Sequence, residues 1–189
     1  MRTRIILHGG NSSKKSEKND RFFQEVINGV ESDIVNVLCV YFARPERRWK
    51  ESHEEDQRSF TNVQADKHVQ TTLATYEGFV DEVSKSDVIF MNGGISGHLK
   101  PILLVVGIER FRQILAGKTL VGVSAGANVL SKYYFSTVAH EIREGAGFLG
   151  LKVMTHYSPD QTEELEQLKA YGDDLPVVKI AEEEYLVIE

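Results

Sequence analysis

Gly122-Val123-Ser124-Ala125-Gly126 sets one serine between two glycines in a G-x-S-x-G string. The chemistry served by this spacing is nucleophilic attack by a hydroxyl. A sharp turn from strand to helix strains the serine backbone, and glycine on both sides lets the bend close without a collision. The hydroxyl then stands clear at the sheet edge, and the helix start offers free N–H groups to a developing oxyanion. The surroundings meet the motif's requirement: the apolar run Thr119 to Val123 precedes the serine, and the helix-forming stretch Ser124 to Lys132 includes and follows it.

A serine hydroxyl is a weak nucleophile until a base takes its proton. Six histidines compete for that role. His53 and His68 lie in polar, surface-like stretches. His8 ends the first apolar run beside Gly9-Gly10, where a structural hydrogen bond is the plainer expectation. His98 follows Gly93-Gly94 and is a genuine competitor, whereas His140 sits in a polar segment without an ordering partner. His156 follows the strand-like run Leu151 to Thr155, which would point it across the same edge as Ser124. It leads, although spacing alone does not decide between it and His98.

Short apolar runs alternate with amphipathic stretches along the chain, and these elements must position the serine and its base. Strands are expected at Ile5–Leu7, Ile34–Phe42, Val69–Ala74, Val88–Met91 and Thr119–Val123. Helices are expected at Phe22–Val30, Glu46–Phe60, Tyr76–Val83, Ile102–Leu115 (with Gly117 as C-cap) and Ser124–Lys132. This alternation predicts an α/β fold, a mostly parallel sheet with helices on both faces. Ligands of such sheets bind beyond the carboxyl ends of the strands. Gly9-Gly10, Gly93-Gly94 and Gly122 to Ser124 all fall at such ends. The tail after Val138 reads differently, with hairpin-like pieces around Gly145–Leu151 and Val177–Ile188.

Residues 1–189 read as a single domain, with no repeat or linker. A net charge of −6 gives no support for nucleic-acid binding. Arg44, Arg47 and Arg48 are soon followed by Glu51, Glu54, Glu55 and Asp56, which reads as a mixed solvated face. The lone cysteine, Cys39, rules out an intrachain disulfide and lies in an apolar run, so an inert buried thiol and a cytoplasmic protein are expected. The run Ile5–Leu7 is too short for a signal-peptide core or a membrane span.

Three strings occur in order over most of the chain: Gly93-Gly94, then Gly122-Val123-Ser124-Ala125-Gly126-Ala127-Asn128, then Gly147-Phe148-Leu149-Gly150-Leu151 leading to His156-Tyr157. Together they resemble the dipeptidase E family, the alpha-aspartyl dipeptidases, and the related cyanophycinases. The resemblance implies the fold of the class I glutamine amidotransferases, a flavodoxin-like three-layer sandwich, with serine where those enzymes use cysteine. It implies Ser124 as nucleophile, His156 as general base, and an oxyanion hole from the backbone N–H groups of Gly94 and Ala125. The amidotransferase acid, two residues after the histidine, is replaced here by Ser158. The dipeptidase acid comes from a later L-x-E-G segment matched by Ile180-Ala181-Glu182-Glu183, which makes Glu182 the third member. The other reading of Glu182-Glu183-Glu184 is a solvated turn. If the segment is extended, Glu182 and Glu184 share one face and Glu183 takes the other.

Departures from the family pattern bear on this. Ile95-Ser96 stand where the family's G-G-N-T has Asn-Thr, Glu183 replaces the glycine after the acid, and the sequence ends at Glu189 where family members run on. The basic residues that follow the histidine in aspartyl dipeptidases give way to Asp160-Gln161-Thr162-Glu163-Glu164-Leu165-Glu166. Acidic substrates would meet repulsion there, so the hydrolase chemistry carries over and the aspartyl specificity does not. The expected function is a serine-dependent peptidase or amide hydrolase acting on small peptides, with no cofactor and no metal. The small peptide is the expected partner, with no nucleic acid, no membrane, and a homodimer as the assembly allowed for. One alternative is an inactive relative serving as a binding or regulatory domain. The other is a small esterase with the order Ser, acid, His, for which only Glu141 and Glu144 lie in the right interval and the chain is short.

Overall fold

Each buried strand carries two apolar faces, and that doubles the layers it can hold. The computed structural model describes residues 2–63 and 66–189. In chain order the elements are β1 (Arg4–His8), α1 (Glu17–Asn28), β2 (Ile34–Val40), a 3-10 turn (Glu46–Arg48), α2 (Trp49–Asn62), β3 (His68–Leu73), α3 (Phe79–Lys85), β4 (Val88–Met91), α4 (Ser96–Val106), α5 (Ile108–Ile114), β5 (Thr119–Val123), α6 (Ala125–Leu130), β6 (Tyr133–Ser136), β7 (Glu141–Glu144), β8 (Lys152–Thr155), α7 (Thr162–Ala170), β9 (Val177–Ile180) and β10 (Tyr185–Ile188). The main sheet runs β10-β1-β5-β4-β2-β3, parallel throughout except for β10, which is antiparallel to β1.

Alternate residues of these strands enter different cores. Leu7, Leu38, Ile89 and Leu120 pack with Phe79, Leu99, Leu103 and Phe111 of α3–α5 and with Ala127 of α6. Ile6, Val37, Phe90 and Val121 pack with Phe22, Phe23 and Ile27 of α1 and Phe60 of α2. Helices therefore cover both faces, as the alternation of runs predicts. Cys39 is buried on the α1 side, and burial pushes its thiol well above the ordinary range. Among the described residues no helix is long and apolar enough to cross a membrane.

The structure corrects several boundaries. The helix expected over Ile102–Leu115 begins at Ser96 and is broken at Gly107, whose φ of 83° lies in the left-handed region. The tail holds a second sheet, β7-β6-β8-β9, whose one hairpin joins β6 to β7. Gly145–Leu151 is a loop. Val177–Ile188 is not a hairpin, because β9 pairs with β8 while β10 crosses to β1 in the main sheet. That crossing brings Glu182 back to the end of β1.

Candidate active site

The register of the main sheet sets His8 beside Val123 and Met91 beside Gly122, so the ends of β1, β4 and β5 meet at one edge. Ser124 sits between β5 and α6 with φ 48° and ψ −103°. The flanking glycines are needed for space. A Cβ on Gly122 would lie 2.7 Å from the Ala127 nitrogen, and one on Gly126 would lie 2.4 Å from the Met91 oxygen. The Ser124 N–H donates to the His8 carbonyl at 2.9 Å, which ties the turn to β1.

His156 follows β8 at φ 53°, and its N–H donates to the Gly9 carbonyl at 2.9 Å. Its Nε2 lies 2.7 Å from Ser124 Oγ, and its Nδ1 lies 3.0 Å from Glu182 Oε1. Asn11 Nδ2 donates to the other carboxylate oxygen of Glu182 at 3.2 Å. The His156 hydrogen bond first, with help from Asn11, holds the Glu182 carboxyl below its usual range. The structure thus brings together Ser124, His156 and Glu182, the three residues that the family resemblance implies.

The rest of the acidic triplet is engaged elsewhere. Lys14 Nζ donates to Glu183 at 2.5 Å, and Lys18 Nζ donates to Glu184 at 3.1 Å. The segment is a turn, not an extended strand, so the expected alternation of faces does not apply. Glu183 has φ 62° and donates its N–H to the Gly10 carbonyl. Its side chain is only 14% exposed and does not lie in solvent.

Among the described residues no other histidine side chain is hydrogen-bonded to the serine. His8 is buried. Its Nδ1 accepts from the Gly10 N–H at 3.1 Å, and its Nε2 therefore carries the proton that faces Asn19 Oδ1 at 3.0 Å. Burial lowers its pKa to about 4, so it stays neutral and structural. His98 lies exposed on α4, His140 in the β6–β7 turn, and His68 at the start of β3. His53 is half-buried with Nε2 2.8 Å from Thr71 Oγ1, more engaged than its polar neighbours suggest.

The glycine pairs at the strand ends mark close approaches. A Cβ on Gly9 would sit 1.9 Å from the Ala181 oxygen, and one on Gly10 would sit 2.1 Å from Cε1 of His156. Gly94 has φ 151°, and a Cβ there would lie 2.3 Å from the Ala43 oxygen. The N–H groups of Gly94 and Ala125, expected as oxyanion donors, have no acceptor among the described residues.

A cleft of about 580 Å³ opens over Ser124 and His156. Its charged lining is Arg44, Arg143, Glu55 and Asp56, and none of the acids between Asp160 and Glu166 borders it. The repulsion expected from that run therefore has no place in the site. The solvated face expected for Arg44 and Asp56 is not what the structure holds: Asp56 is 1% exposed and Arg44 turns inward. Tyr41 Oη donates to Asp56 at 2.7 Å, Asn92 Nδ2 donates to it too, and burial still raises its pKa to about 6. Asn92, directly before Gly93-Gly94, was the available signal for this network. It supplies an amide beside the loop that lacks the family's own.

Residues 5–189 match the sequence profile of peptidase family S51. The chain belongs to that family. It is a serine-type peptidase with a mostly parallel α/β fold. Two solved structures are similar over the whole of it. A peptidase from an acI-B1 Actinobacterium aligns with TM-score 0.68 and 19% identity, over 100% of this chain and 84% of that one. A putative peptidase E protein from Listeria monocytogenes EGD-e aligns with TM-score 0.67 and 17% identity, over 100% of this chain and 95% of that one. A comparison with curated proteins finds no match. At these identities the solved structures speak for the fold of this S51 peptidase alone.

Proposed function

We propose that this S51 peptidase cleaves small peptides by acyl transfer to Ser124, with His156 as general base and Glu182 as the residue that orients it. The observation that carries this reading is the unbroken chain of contacts from Ser124 Oγ through both ring nitrogens of His156 to Glu182, at 2.7 and 3.0 Å, on a strand-to-helix turn. Glu182 accepts from Nδ1–H, which leaves Nε2 unprotonated and able to take the serine proton. Oγ then bonds to the substrate carbonyl carbon, and the negative oxygen is met by the N–H groups of Gly94 and Ala125. His156 passes its proton to the leaving amine, whose bond to carbon breaks. A water attacks the acyl-enzyme by the same route, and Ser124 recovers its proton. A cleft of about 580 Å³ falls in the range of small-molecule sites and suits a short peptide.

The test is a fluorophosphonate probe together with a panel of dipeptides. Ser124 should be the labelled residue, and Ser124→Ala should lose labelling and turnover while keeping its thermal midpoint. Labelling that survives in Ser124→Ala, or none in the wild type, would rule the assignment out.

A further inference from the structure

We propose that Arg44 is a positioning residue that aims the Gly94 N–H into the cleft by holding the carbonyl of Gly93. In a trans peptide the carbonyl and the following N–H lie in one plane and point in opposite directions. Whatever holds the Gly93 oxygen therefore sets where the Gly94 hydrogen points. A Gly-Gly pair has the widest backbone freedom of any dipeptide, so this plane needs outside ties.

Those ties are present. Arg44 Nε donates to the Gly93 carbonyl at 2.8 Å, Asn92 Oδ1 accepts the Gly93 N–H, and the Ile95 N–H donates to the Ala43 carbonyl at 2.8 Å. Of three consecutive N–H groups in this loop, only that of Gly94 has no acceptor among the described residues. Arg44 is itself held: Nη1 donates to Ser52 Oγ at 2.9 Å, and Nη2 donates to Asn92 Oδ1 at 3.3 Å. Its backbone is fixed too, its N–H donating to the Tyr41 carbonyl and its carbonyl accepting from Trp49 Nε1. The buried carboxylate of Asp56 supplies the counter-charge. A guanidinium bonded to a peptide oxygen also polarises that peptide, which makes its N–H a stronger donor. Three of the five N–H donors of Arg44 are taken by protein acceptors, which leaves one on each Nη and orients the guanidinium towards the loop.

This inference rests on the serine-peptidase reading, and the experiment separates the two. The fluorophosphonate labelling rate at Ser124 is measured for the wild type, Arg44→Met and Arg44→Ala, with the Gly94 amide followed by NMR on glycine labelled with nitrogen-15. In the wild type, phosphonylation should shift the Gly94 amide proton downfield as the phosphonyl oxygen accepts from it. In Arg44→Met the labelling rate should fall about 10- to 100-fold, with the Gly94 shift reduced in step. Millimolar guanidinium should restore part of the rate in Arg44→Ala. A wild type that resists labelling overturns both readings. A labelled wild type whose Gly94 amide does not respond overturns the positioning role alone, whether or not the variants fold. So does a folded Arg44→Met that labels within about twofold of the wild-type rate. A variant that labels normally but binds product dipeptides weakly would assign Arg44 to substrate binding instead.

Discussion

Three glutamates in a row have three different fates, and the turn at Gly10 decides them. Glu182 faces His156 on one oxygen and Asn11 on the other, whereas Glu183 and Glu184 are drawn to Lys14 and Lys18. In Glu182→Gln the new amide N–H₂ either faces the Nδ1–H of His156, donor against donor, or faces Asn11, whose own amide must turn over to accept it, and in both cases the negative charge beside the ring is lost. We expect kcat to fall about 100- to 1,000-fold with KM little changed, since the imidazolium loses its partner. Glu183→Gln should leave kcat near wild type and lower stability modestly, through loss of the Lys14 contact. A kcat loss at Glu183 equal to that at Glu182 would overturn this division. Gly10→Ala is the harsher change, because its Cβ falls 2.1 Å from the His156 ring. It should abolish Ser124 labelling in a protein that still folds. The serine and the histidine were legible because a motif and a strand end marked them. Arg44 and Asp56 were not, because charged, exposed residues follow Arg44 and flank Asp56, while Asn92, the partner they share, lies at the end of β4, distant in sequence.

At the scale of elements, apolar runs gave away β1, β2, β4 and β5, since burial on both faces leaves such strands almost continuously hydrophobic, whereas the edge strand β3, His68–Leu73, alternates exposed and half-buried residues and carries a weaker signal. What stayed hidden was the fate of the tail. β9 and β10 are separated by a short turn and have the run lengths of a hairpin, yet they join different sheets. Only the partner strands β8 and β1, distant in sequence, decide that, and no local pattern encodes them. The break between α4 and α5 is similar, because the apolar spacing from Ile102 to Leu115 reads straight through Gly107. That glycine has φ 83° and open space where a Cβ would go. Gly107→Ala should therefore cost stability through backbone strain alone, about 1 kcal/mol, and leave kcat unchanged. Urea unfolding beside a turnover assay checks both. A loss of several kcal/mol would show that the break also carries packing.

For the molecule as a whole, two buried titratable groups oppose each other across acidic pH. Burial lifts Asp56 from 3.8 to about 6, so between those values the folded protein holds a proton that the unfolded chain has released. Stability from this group therefore falls as pH rises through that window, by roughly 3 kcal/mol in all. Burial lowers His8 from 6.5 to about 4, so there the unfolded chain holds the extra proton. Its contribution rises with pH through nearly the same window, again by roughly 3 kcal/mol. The two slopes offset in the wild type, and each variant should uncover the other group. Relative to wild type, Asp56→Asn should gain stability between about pH 4 and pH 6, since it no longer has a carboxyl to ionise in the interior. His8→Gln should move the opposite way over the same range, losing ground to wild type as pH rises. Urea unfolding of the three proteins at several pH values between 4 and 7 reads both differences directly. Parallel curves for wild type and Asp56→Asn would mean that Asp56 ionises at its ordinary value despite its burial. The cradle beneath Gly93-Gly94 would then be a permanently charged pair.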